Sequence, residues 1–159
     1  MKTYTATDSH GNAVHYTDRK RYLWILSVLF PLVPFIGMAL GIRTGPEGML
    51  WLPVRVLYAL LPLLDWLVPN DQSNPPEDIV PHLEAEKYYR LLNHLTVPLH
   101  FIVLVCGAWF VAAWQPGWLG MLGHALTVGV IGGFAVNTGH ELGHKKEKAD
   151  QVAARLVLA

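Results

Sequence analysis

The chain has 159 residues, of which 52% are hydrophobic and 15% charged, with Lys+Arg and Asp+Glu balanced at 12 each. That balance removes bulk charge as an argument for nucleic acid, and the composition is too apolar for an ordinary soluble domain. The single cysteine, Cys106, excludes an internal disulfide and reads as a small buried hydrophobe.

Residues 1–21 are polar and precede an apolar run of spanning length with no small-residue cleavage site, so they are expected to remain attached as a cytoplasmic tail. Residues 22–159 read as an all-α integral membrane domain with about four transmembrane helices, at 22–42, 49–68, 95–114 and 119–136. Short links carrying Gly45-Pro46 and Pro116-Gly117 join these helices as two hairpins. The polar stretch from Pro69 to His94 reads as a surface connector with a short helix near Glu84 to Leu92.

Lys2, Arg19, Lys20, Arg21, Lys87, Arg90, Lys145, Lys146, Lys148 and Arg155 fall on one side of this layout, against Arg43 on the other. The asymmetry places both termini in the cytoplasm. Arg55, inside the second span, reads as an arginine reaching back to the outer interface. Trp51, Trp66, Trp114 and Trp118 sit at predicted boundaries, where indoles anchor. Pro31, Pro34, Pro53, Pro62 and Pro98 predict bent helices, and Gly129, Gly132, Gly133, Gly139 and Gly143 a face for close helix packing.

His140 and His144 carry the chemistry. Four residues apart on one helix, their rings project about 40° apart and roughly 6 Å along the axis, a spacing from which both can reach one metal ion. Asn137 and Glu141 lie on or beside that face. His-Glu-x-x-His is also the zinc-protease box, with the glutamate activating water, and spacing alone does not separate zinc from iron. The remaining histidines are not expected to be ligands. His124 is placed at the far end of the same helix, His100 two turns into the third span in need of a hydrogen-bond partner, His94 and His82 in the connector, and His10 and His15 in the tail. Lys145, Lys146 and Lys148 read as the basic flank of a span, or as a docking patch for an acidic electron carrier.

The run Asn137-Thr138-Gly139-His140-Glu141-Leu142-Gly143-His144-Lys145-Lys146 resembles the first histidine box of the membrane-bound alkane hydroxylases, within the fatty-acid desaturase and hydroxylase group of di-iron membrane enzymes. Leu64-Asp65 through Pro69-Asn70-Asp71, Asn74-Pro75-Pro76-Glu77, Tyr88-Tyr89-Arg90 and Leu95-Thr96-Val97-Pro98-Leu99-His100 extend the likeness. The resemblance implies a six-helix fold in a bacterial inner membrane, of which this chain would be the N-terminal part. It also implies a site of two iron ions with His140 and His144 as the first two ligands. The implied reaction is O2-dependent terminal hydroxylation of medium-chain n-alkanes, with electrons from rubredoxin and, upstream, rubredoxin reductase and NADH. The later histidine boxes have no counterpart here, so this segment alone would not complete the site. Leu57, Leu60, Leu61 and Leu64 are the place to look for an alkane path, with helix packing as their ordinary explanation. An aromatic methyl group or acyl chain as substrate, a membrane zinc protease with Glu141 as base, and histidines that merely bridge helices stay open as alternatives.

Overall fold

The computed structural model describes residues 1–45, 47–68 and 73–159. Pro46 and the Pro69-Asn70-Asp71 block lie outside them. Among the described residues four helices are long and apolar enough to cross a membrane: α1 Arg21–Thr44, α2 Glu47–Leu67, α4 Lys87–Trp114 and α5 Trp118–Gly143. A short helix α3, Val80–Glu84, precedes α4, and an amphipathic helix α6, Lys148–Leu158, follows α5. The chain is therefore a multi-pass α-helical membrane protein. Its helices outrun the apolar segments because the polar ends of α4 and α5 stay in helical register, so the box lies within α5 except for its last turn.

The polar tail is ordered. Lys2–Thr7 (β1) and Ala13–Asp18 (β2) pair antiparallel, as their Thr, Tyr and Val residues favour. The reversal between them needs Gly11 at φ +85° and is tied by Asp8, whose carboxylate accepts the backbone N–H groups of His10 at 2.9 Å and Asn12 at 2.8 Å. These bonds hold the Asp8 carboxyl below its ordinary pKa.

The hairpin is bolted to the start of α4. Glu86, extended at φ −75° and ψ 131°, precedes that helix and accepts Arg21 at 2.6 Å and Lys2 at 2.9 Å. Tyr88 donates to the Arg21 carbonyl at 3.0 Å, Tyr89 donates to buried Asp18, and the Arg21 guanidinium lies 4.3 Å from the Tyr88 ring centre. Those contacts break the helix expected over Glu84 to Leu92: it stops at Glu84, and Lys87 onward already belongs to the third span.

At the opposite end, the Glu47 carboxylate accepts the N–H groups of Gly117 at 2.5 Å and Gly120 at 3.2 Å, capping α5 where its backbone donors and dipole favour an anion. Trp51 donates to the Leu119 carbonyl at 3.0 Å with its indole against Gly123, and Trp114 packs with Met38, Leu50 and Phe110. These two tryptophans fill helix interfaces, whereas Trp66 (81% exposed) and Trp118 (74%) remain on the surface as anchors would. Arg55 folds back toward Gly48, the direction expected of it. Only part of the expected glycine face is packed: an added Cβ would crowd Leu158 at Gly139 and touch Ala154 at Gly143, but would meet nothing within 4 Å at Gly129, Gly132 or Gly133, while Gly37, Gly107 and Gly123, outside that set, are crowded too.

Candidate metal centre

The rotation of α5 about its axis decides where the histidines point. Ala135, Gly139 and Leu142 form its buried stripe. Leu142 packs with Val97 of α4 and Ala153 and Ala154 of α6, while Gly139 lets Val157 and Leu158 approach closely. With Gly143 beside Ala154 and Gly139 beside Leu158, α6 runs antiparallel along the end of α5. Asn137, His140, Glu141 and His144, spaced as one helical face, are left on the open side.

The two imidazoles lie 6.4 Å apart between ring centres with planes 24° apart, both solvent-accessible. The last turn is still helical at His144, whose N–H reaches the His140 carbonyl at 3.3 Å. Metal–imidazole bonds are about 2.0–2.1 Å long, so a shared ion requires only that the rings converge by side-chain rotation. The arrangement fits two members of a ligand set. Among the described residues no group of three or more His, Cys, Asp or Glu is placed to hold a metal ion, so the set is not completed by them.

The other histidines are occupied differently. His94 meets Asp150 of α6 at 2.5 Å, and His15 meets Thr5 across the hairpin at 3.0 Å. His124, toward the far end of α5 from the box, is 3% exposed, wedged against α4 with Nε2 3.2 Å from the Gly107 carbonyl. His100 is also buried, and its Nδ1 has no hydrogen-bond partner among the described residues.

The turn that leaves the box is clamped from α4. Arg90 donates to Glu147 with both terminal nitrogens, at 2.6 Å through Nη1, and lies 3.5 Å from Asp150, which is 1% exposed. In the sequence Arg90 counts only toward the basic flank and the Tyr88-Tyr89-Arg90 block, and Glu147 and Asp150 carry no assignment. An acidic residue on the inward stripe of the amphipathic helix after the box was the available signal. Beside the box a cavity of about 330 Å³ runs between α1, α2, α4 and α5, lined by Phe30, Leu57, Leu61, Thr96, His100, Phe134, Asn137 and Thr138. Of the four leucines singled out on α2, Leu57 and Leu61 line it, in and just beyond the π-wound stretch Val56–Leu60.

The described helices form a bundle long and apolar enough to span a membrane, with a solvent-accessible pair of imidazoles, planes 24° apart, at one end. By sequence, the chain is similar over most of its length to proteins named alkane 1-monooxygenase. It is 49% identical over 148 residues, 93% of its length, to the alkane 1-monooxygenase of Ectopseudomonas oleovorans. It is 49% identical over 91% of its length to alkane 1-monooxygenase 1 of Alcanivorax borkumensis, and 46% over 93% to the Pseudomonas putida enzyme. The chain spans 36–37% of the length of these relatives. No family model matches it.

Proposed function

We propose that this chain forms part of an enzyme that hydroxylates the terminal carbon of medium-chain n-alkanes with O2, and that His140 and His144 are two of the ligands of its iron pair. The observation that carries this reading is the near-parallel imidazole pair on the open face of α5, near a cavity lined by apolar Leu57, Leu61 and Phe134 together with polar Asn93, Thr96 and Asn137. Sequence kinship over most of the chain to proteins named alkane 1-monooxygenase supports it. Iron, when bound, supplies redox chemistry with O2 that zinc lacks. His140 and His144 would hold it as neutral donors that add no negative charge. The apolar part of the cavity lining, Leu57, Leu61 and Phe134, would pack against the chain of an apolar substrate drawn from the bilayer, and the Phe30–Phe134 edge contact at 5.3 Å braces its wall.

In this reading the box end faces the cytoplasm of a cell with the protein in its inner membrane. Lys145, Lys146 and Lys148 then lie where a soluble acidic electron carrier such as rubredoxin, itself reduced through a reductase by NADH, would approach. The test is iron per protein and octane hydroxylation in membranes carrying the complete protein. His140→Ala and His144→Ala should each lose most of both while inserting normally, and His82→Ala, an exposed histidine of α3, should change neither. Wild-type iron in both box variants would remove the assignment.

A further inference from the structure

Polar side chains inside the spans mostly satisfy themselves on nearby backbone. The hydroxyls of Ser27, Thr96 and Thr138 donate to the carbonyls of Trp24, Asn93 and Phe134, at 2.6, 2.7 and 3.0 Å, and His124 uses the Gly107 carbonyl. His100 is the exception, 8% exposed with Nδ1 fully buried and unpartnered among the described residues. A buried polar atom without a partner is unfavourable in any protein interior and more so at hydrocarbon depth, where bulk water is not at hand.

His100 stands in the wall of two cavities. One is the chamber beside the box. The other, of about 160 Å³, lies between α4, α5 and α6 against Val103, Val128, Ile131, Ala135 and Val157, and His100 supplies the only polar side chain of its lining. Phe101, Leu104 and Gly132 of its lining are exposed and mark its open side. A cavity of about 150 Å³ holds benzene, so this one has room for a hydroxyl and the first few carbons of a chain, with the rest lying along the mouth.

We propose that this smaller cavity is a binding site for the hydroxyl end of a primary aliphatic alcohol, with His100 as its hydrogen-bond partner. A neutral imidazole offers one donor and one acceptor, and an alcohol can match either. An alkane gains nothing from the ring, and a carboxylate would enter a cavity whose lining holds no cation. The choice of alcohol rests on the hydroxylase reading, since a terminal alcohol is that reaction's product. The site then gives the product a polar contact on the way from the chamber to the lipid.

The experiment uses the chain with 15N-labelled histidine in phosphatidylcholine nanodiscs, titrated with 1-octanol or n-octane. Octanol should shift the His100 ring nitrogens saturably and bind about tenfold more tightly than octane, the worth of one hydrogen bond. His100→Phe should erase that preference. Gly132→Leu, at a position where an added Cβ meets nothing within 4 Å, fills the mouth without touching the ring and should abolish the octanol shift. Nitrogens that do not move, as when water or a lipid ester already serves the ring, overturn the proposal. So does an equal response to octane, or an octanol shift that survives Gly132→Leu. Octane hydroxylation by the complete protein is assayed in parallel. A saturable shift without hydroxylation would remove the hydroxylase reading and leave the alcohol site, whereas hydroxylation with unmoved nitrogens would remove the alcohol site alone.

Discussion

Asp150 is the most exacting residue near the box. Its carboxylate is buried, and its partners come from one neighbouring helix, His94 at 2.5 Å and Arg90 at 3.5 Å. Arg90 holds Glu147 as well, so one guanidinium fixes the turn by which the chain reverses from α5 into α6. Removing one partner of a buried ion pair is costly because the other charge is stranded. The Arg90 side chain is 25% exposed, which lets solvent recover part of the loss. Arg90→Leu should therefore lower stability, read as a lower unfolding midpoint in mixed micelles. Asp150→Asn removes the charge that Arg90 would leave behind, so the double variant should be more stable than the sum of the two losses implies. Strict additivity would show that the contact carries no energy.

Among the elements, α5 is the one whose placement decides the site, and glycines determine how near its neighbours come. An added Cβ at Gly123 would stand 2.3 Å from the Trp51 indole nitrogen, and this indole is held by its bond to the Leu119 carbonyl. Gly123→Ala gains about 1 kcal/mol of helix propensity and should still destabilise the protein, by about 2 kcal/mol, because overpacking moves a fixed ring. Trp51→Ala should rescue it, and melting of the two single variants and the pair measures this. Gly129→Ala and Gly133→Ala, facing open space on the same helix, should be neutral or mildly stabilising. Glycines of one segment thus serve opposite purposes, which their spacing does not reveal.

For the whole molecule, the hairpin, the start of α4, the box and α6 gather at one end, joined by Lys2, Arg21, Glu86 and Arg90. The Glu47 cap, Trp51 and Trp114 occupy the other end. Basic residues concentrate at the box end, and the excess of Lys and Arg on cytoplasmic flanks predicts that fusions of a topology reporter at Thr7 and at Lys148 both read inside. An outside signal at either position would break the arrangement of spans.

The sequence by itself determined the membrane class, the four spans and the histidine spacing, because each is written in local pattern. Twenty apolar residues have few places to go but the bilayer, and i, i+4 on a helix is a fixed geometry. It also carried the hairpin in its alternating Thr, Tyr and Val residues, a signal outweighed by the polarity of the segment. Tertiary structure alone decided that His124 is wedged between helices, that the Nδ1 of His100 lacks a partner among the described residues, that Trp51 and Trp114 pack inward, and that Asp150 is buried under Arg90. These depend on how far each helix is rotated and where it crosses its neighbours. Those settings come from contacts between residues distant in the chain, such as Trp51 with Gly123 and Leu142 with Ala153 and Ala154, and no periodicity in the sequence encodes them.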